Sequence, residues 1–379
     1  MEPSSEKLRL RSMDVLKGMI MTVIVFSHMI FTVREGTTGG GMPVIIQVLY
    51  LGLMVFYILS GYFYRPGKGF RANMTKRLKQ IGIPLIICAF VLPLILFVYL
   101  DLMGYDLPAS DYIDAVIYGL GWEHAFVPMD EIVSQTALTI ANVGGYFLYT
   151  MLWGFMIFYL LADYVMDDIR KAIVTIAALL VVAALLGEFV DISLPMFIKF
   201  GPIAAAFMFF GACLAKFDVL ENVEYGDKRK LFYWLLPVVL AVASVVLCYF
   251  LQPNIKFDHY VFGDYGGWSV FPFYAEAILM FLPIVYLGFI FSKIPLLSVY
   301  FDTLGKHTLG TILLHPMFAK IIVAQICTVQ STILVPSEVG IEGRLAIAVA
   351  VLIICIVVLH FGPKLIAMVT KKGKKEESS

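Results

Sequence analysis

Apolar stretches of about twenty residues recur along this chain from near its start to near its end. Each is long enough to cross the ~30 Å hydrocarbon core of a bilayer as a helix. With 60% hydrophobic and only 15% charged residues, the chain falls outside the range of soluble domains. The expected fold class is an all-α polytopic integral membrane protein of about ten transmembrane helices. The predicted spans are Val15–Val33, Val44–Tyr64, Ile81–Leu102, Gly144–Tyr164, Ala172–Phe189, Met196–Ala215, Leu231–Leu251, Val270–Phe291, Asp302–Val323 and Leu345–Met368. Residues 1–12 are expected to form an N-terminal segment, 13–369 the membrane domain, and 370–379 a disordered basic and polar tail.

Lysine and arginine set the orientation. They gather in alternate connections: before span one, after spans two, four and six, and after span ten. The richest connection follows span two and holds Arg65, Lys68, Arg71, Lys76, Arg77 and Lys79. No Lys or Arg occurs from Gln80 through Ile169, where Asp101, Asp106, Asp111, Asp114, Glu123, Asp130 and Glu131 collect. Both termini are therefore expected in the cytoplasm of a cell (plasma or inner) membrane protein, with the acidic connection outside. Trp122, Trp153, Trp234 and Trp268 are expected near span ends, as aromatic belts are.

A formal net charge of zero gives no electrostatic case for a nucleic-acid partner. The five cysteines lie in or beside apolar segments without C-x-x-C spacing, so they read as packing residues and no metal is expected. No small-residue cleavage site follows the first apolar segment, which is expected to stay as a helix. No internal repeat is visible, which disfavours a secondary transporter.

Lys17 and His28 bracket the charge-free run MIMTVIVFSH. Eleven residues at ~100° each return to the same helix face ~16 Å along the axis. A cation thus stands at the water interface and an imidazole at mid-bilayer, a depth where a polar ring marks a site or a polar path. The competing reading is a histidine bonded to a neighbouring helix for packing alone.

Three motifs occur in order. Asp14, Leu16, Lys17, Gly18 and His28 form the first. Phe56, Ser60, Gly61, Tyr62, Phe63, Lys76, Arg77 and Pro84 form the second, and Leu304, Gly305, Lys306, Thr308, Leu309, Leu314 and His315 the third. Together, over about residues 9–365, they resemble the membrane acyltransferase-3 family, within it the fucose-4-O-acetylase-like branch. Two positions depart from the pattern: Lys17 stands where Arg is commoner, and Gln80 where many relatives have Arg. Arg offers a planar fork to a phosphate or carboxylate and Lys only a point charge.

The resemblance implies an O-acetyltransferase with acetyl-CoA as donor. The implied acceptor is a hydroxyl of a cell-surface carbohydrate or its lipid-linked precursor. The partners would be an acyl-CoA donor, that glycan and the lipid bilayer. Arg71, Lys76, Arg77 and Lys79 would meet the coenzyme phosphates, with Gly67 and Gly69 allowing close backbone approach. The same charges also satisfy the positive-inside rule. His28 would be the acid–base residue, since imidazole titrates in the range this transfer needs. Lys17 is expected at the catalytic face. His315, ~14 Å into span nine from Lys306, would orient His28, assist the leaving thiol or line the channel, or serve structure alone.

Asp14 is placed to pair with Lys17. Lys199 and Glu276 are intramembrane charges expected to face the bundle interior, paired with each other or touching substrate. Trp122, with Glu123, His124, Tyr112 and Tyr118, offers an aromatic–acidic set for stacking on a sugar, or a belt. His259, with Asp258 and Asp264, is similarly placed outside; His307 and His360, near the cytoplasmic ends of spans nine and ten, read as ordinary. A different class of function also accommodates polar residues in a bundle: a non-enzymatic transporter or flippase for a small solute or lipid-linked sugar. A structural partner of a glycan-assembly complex is a third, and would need no intramembrane histidine.

Overall fold

The computed structural model describes residues 11–30, 53–122, 138, 141, 145–190, 194–251, 267–326 and 339–364. Regular structure among them is helical. In chain order the helices are α1 (Arg11–Ile30), α2 (Met54–Tyr62), α3 (Gly69–Arg77), α4 (Ile83–Leu102) and α5 (Ala109–Gly119). Then follow α6 (Gly145–Val165), α7 (Ile169–Phe189), α8 (Gly201–Ala215), α9 (Val219–Tyr225) and α10 (Leu231–Leu251). The last four are α11 (Val270–Ser292), α12 (Pro295–Lys306), α13 (Thr308–Ile326) and α14 (Ile341–Ile356).

Eight helical segments among the described residues are long and apolar enough to cross a membrane. The chain is thus an all-α polytopic membrane protein. The eight segments correspond to predicted spans one, three to six and eight to ten, and α10 has the bounds predicted for span seven. Span two is described only from Leu53 onward. The ends of the chain, residues 1–10 and 365–379, and the residues Glu123, His124, Asp258, His259 and Asp264 lie outside the described residues.

Burial separates the centre of the bundle from its rim. In α1, 72% of the membrane-length window is buried, and in Pro195–Ala215 78%, against 22% in α7 and 28% in Ile341–Lys364. The rim helices present Ile86, Ile87 and Leu94 of α4, Ile173 and Val174 of α7, and Val349 and Ile353 of α14 outward. Such apolar faces suit a lipid solvent and would be a liability in water.

Two pairs of glycines bring the central helices together. A Cβ on Gly61 of α2 would stand 1.8 Å from the Met208 carbonyl oxygen of α8, and one on Gly211 of α8 would stand 1.9 Å from that of Ile58. Gly18 of α1 and Gly305 of α12 make the equivalent close approach, facing the carbonyl oxygens of Phe301 and Asp14. Small residues at helix contacts are how bundles gain packing where lipid removes the hydrophobic drive. Short helix α9 fastens the end of this assembly: Glu221 accepts from the Tyr62 hydroxyl and Glu224 from Ser12.

The structure corrects several expectations. The basic connection after span two is largely helix: α3 runs through a π turn, Leu78–Gly82, into α4. After Gly69 the run contains no strong helix breaker before Gly82, so nothing interrupts it. Gly67 and Gly69 have φ of +89° and +68°, the left-handed region that favours glycine, so they shape the turn that leads into α3. Predicted span nine is two helices broken at His307. There Gly305 is a weak helix former, and the Thr308 hydroxyl donates to its carbonyl at 2.7 Å, competing with the ladder. Trp153 sits mid-way along α6, half-buried, and its indole donates to the Met196 carbonyl at 3.0 Å. It is a packing residue, unlike the exposed Trp122, Trp234 and Trp268.

Candidate active site

His28 and His315 meet inside the bundle. His28 Nδ1 lies 2.8 Å from His315 Nε2, and the rings stack with centroids 5.1 Å apart. His315 is buried, and its Nδ1 is 2.8 Å from the Thr311 carbonyl oxygen one turn earlier on α13. Pro316 follows immediately and has no N–H, so the ladder of α13 is open at this turn.

These contacts assign the tautomers of the neutral pair. A carbonyl only accepts, so His315 Nδ1 carries the hydrogen that points at Thr311. Its Nε2 then holds a lone pair and accepts from His28 Nδ1–H. That leaves the lone pair of His28 on Nε2. The arrangement is a one-way chain, His28 to His315 to Thr311, ending on a fixed dipole. When His28 Nε2 takes a proton, the new cation is shared along two hydrogen bonds instead of facing lipid alone.

The pair forms one side of a pocket enclosing about 360 Å³, including its open mouth. Ile24 and His28 come from α1, Leu53 from the turn leading into α2, Tyr146 and Phe147 from α6, and Ile312 and His315 from α13. Apart from the imidazoles and the Tyr146 hydroxyl, the walls are hydrocarbon. Phe147 is held rigidly: its ring stacks on Tyr57 at 4.9 Å and meets the edge of Phe56 at 6.0 Å.

A paired imidazole beside a small apolar pocket within a membrane bundle is equipped for proton transfer at a buried acyl group. The acyltransferase-3 family, described as an acyltransferase domain, matches residues 10–361. The chain belongs to this family. It is a multi-pass membrane acyltransferase. Comparison with curated proteins and with solved structures finds no match for the chain.

Within the family fold, the other expected site residues fall into three groups. Lys17 lies on α1 with its Nζ 3.2 Å from Asp14 Oδ1, and at 32% side-chain exposure it still reaches solvent. The i, i+3 pair is therefore formed. On the basic helix, Arg71, Lys76 and Lys79 are exposed. Arg77 differs: its Nε donates to the Tyr159 hydroxyl at 3.0 Å and its guanidinium covers the Phe155 ring at 4.4 Å. It is packed against α6.

Glu276, Lys199 and Trp122 do not line the pocket. The expected Glu276–Lys199 pair is not formed. Glu276 is fully buried on α11 and neither carboxyl oxygen has a hydrogen-bond partner. Lys199 donates to the Val190 carbonyl at 2.8 Å, bracing the turn that enters α8. Trp122 is 48% exposed beyond the end of α5.

Sequence reasoning missed the walls, Leu53, Tyr146, Phe147 and Ile312, because an apolar residue in an apolar span carries no signal of its own. It also passed over Lys320, which is fully buried on α13. The signal was present: a lysine inside the run MFAKIIVAQ is a charge at membrane depth.

Proposed function

We propose that the protein transfers an acetyl group from cytoplasmic acetyl-CoA to a hydroxyl of a cell-surface carbohydrate or its lipid-linked precursor, with His28 as the acid–base residue. The His28–His315 contact at the pocket is the observation that carries this reading. His28 Nε2 removes the proton of the attacking hydroxyl as its oxygen bonds to the thioester carbon. The C–S bond then breaks, and the proton on His28 passes to the departing thiolate. The products are an ester and free coenzyme A, and His28 returns to its starting form. His315 is the positioning residue that fixes the His28 tautomer. Resemblance of the three motifs to the fucose-4-O-acetylase-like branch supports a carbohydrate acceptor.

Lys17, the exposed cations Arg71 and Lys76 of α3, and Lys79 of the π turn after it supply charge for the coenzyme phosphates on the cytoplasmic side. This sidedness follows from the Lys/Arg distribution, which also puts both termini in the cytoplasm of the inner or plasma membrane.

His28→Ala tests the reading. General-base removal costs about 10²–10⁴ in rate, so ester formation on cell glycan should vanish while the protein still reaches the membrane. Lys17→Arg should remain active and Lys17→Ala should not. Wild-type ester levels in His28→Ala would refute the acid–base assignment. A glycan phenotype without acyl transfer would instead make the protein a carrier.

A further inference from the structure

We infer that the pocket beside His28 receives the acyl chain of the donor, and that Leu53, Phe147 and Ile312 hold that chain to a short length. The inference rests on the acyl-thioester reading above and adds which substrate group enters the pocket and what limits it.

The chemistry of the walls separates the two substrates. A sugar carries a hydroxyl on nearly every carbon, and each would need a partner once removed from water. Ile24, Leu53, Phe147 and Ile312 offer none. An acyl chain needs none and gains from burial against the same surface. The space of about 360 Å³ between these walls includes open solvent, so the enclosed part is smaller still and leaves little room for a long chain.

The walls are also unable to yield. Leu53 is 6% exposed, Phe147 3% and Ile312 5%, so each is backed by other side chains. The Phe147 ring is pinned between Tyr57 and Phe56, and the Tyr57 hydroxyl contacts the Phe147 carbonyl at 3.4 Å. Extra methylenes forced into close-packed interiors displace side chains and are rejected. The carbonyl carbon must stay near His28, so added carbons extend toward these walls.

The test uses the full-length protein in lipid nanodiscs and the displacement of radiolabelled acetyl-CoA by unlabelled acetyl-, butyryl- and hexanoyl-CoA. The wild type should favour acetyl over hexanoyl by at least about tenfold, the low end for added methylenes in an apolar pocket. Leu53→Ala and Ile312→Ala should each shift that ratio toward the longer chain by about tenfold. Ile312→Val, a milder change, should shift it in the same direction by less. An unchanged ratio in variants that still bind acetyl-CoA would overturn the inference and leave the donor reading standing. No displaceable acetyl-CoA on the wild type would refute the donor reading itself, and the inference with it.

Discussion

Gly18 and Gly305 touch, on the same two stretches of chain that carry His28 and His315. A Cβ on Gly305 would stand 2.9 Å from the Gly18 backbone nitrogen and 1.8 Å from the Asp14 carbonyl oxygen. Ten residues beyond Gly18 stands His28, and ten beyond Gly305 stands His315. α1 is helical throughout its interval, whereas the second is broken at His307 between α12 and α13, and the two imidazoles still meet at 2.8 Å. The first and third motifs, nearly three hundred residues apart in sequence, are thereby one structure.

Substituting either glycine should therefore damage stability and chemistry together. Gly18→Ala and Gly305→Ala each drive a methyl into a backbone carbonyl, which a side-chain rotation cannot relieve. Overpacking of this kind costs about 1–3 kcal/mol, occasionally more. Melting of the purified protein in detergent should fall clearly, and acyl transfer should fall with it. Two unaltered melting curves at Gly18 and Gly305 would contradict the described helix contact.

His315 should matter less than His28 and in a different way. In the proposed mechanism it holds His28 in one tautomer through the 2.8 Å contact. His315→Ala should lower kcat by less than the ~10²–10⁴-fold expected for loss of the base, with little change in donor KM. His315→Gln, which keeps an acceptor on the side chain, should recover part of that loss. Equal loss in His315→Ala and His28→Ala, with no recovery in His315→Gln, would show that His315 touches the reacting groups.

How much of this was legible in the sequence depends on what kind of signal each residue carries. His28 stood out because a titratable ring in an apolar run is costly. His315 stood out for the same reason, with orienting His28 as one of several roles; only the packed bundle singles that contact out, since nothing local records it. Gly18, Gly61 and Gly305 appeared only as motif positions; the backbone contacts that require them exist only after the helices pack. The break at His307 was hidden by hydropathy, which registers Asp302–Val323 as one apolar stretch and is blind to a hydroxyl bonding a backbone carbonyl. The Glu276–Lys199 expectation failed because two charges at membrane depth need not share a helix interface. Their separate environments, one sealed and one bonded to a carbonyl, are tertiary facts.

The cations of α3 and of the π turn that follows it divide into two sets with different phenotypes. Arg77 is bonded to Tyr159 and stacked on Phe155, a combination of hydrogen bond and cation–π contact worth about 1–2 kcal/mol. Arg77→Ala should therefore lower the melting temperature. Arg71, Lys76 and Lys79 are exposed and make no such packing. Neutralising all three should leave melting unchanged and raise KM for acetyl-CoA, by about 1.5–3 kcal/mol for each charge that meets a phosphate. Added salt should weaken donor binding in the wild type more than in the triple variant. An unchanged KM in a well-folded triple variant would return these residues to a purely topological role.

The sidedness of the donor depends on where α3 and α5 face. Asp114 of α5 is exposed in a stretch without Lys or Arg, and Ala72 of α3 is exposed among the basic residues. The positive-inside rule puts Ala72 in the cytoplasm and Asp114 outside. In a variant whose native cysteines are replaced, Asp114→Cys should react in intact cells with a membrane-impermeant maleimide. Ala72→Cys should react only after the membrane is opened. Cys88, Cys213 and Cys355 are free thiols and must be removed for the assay to be clean. The opposite pattern would place the basic helix outside, away from cytoplasmic acetyl-CoA. His28 and His315 would keep their geometry, but the donor would have to come from the other face, and the assignment of Arg71, Lys76 and Lys79 to coenzyme phosphates would fall.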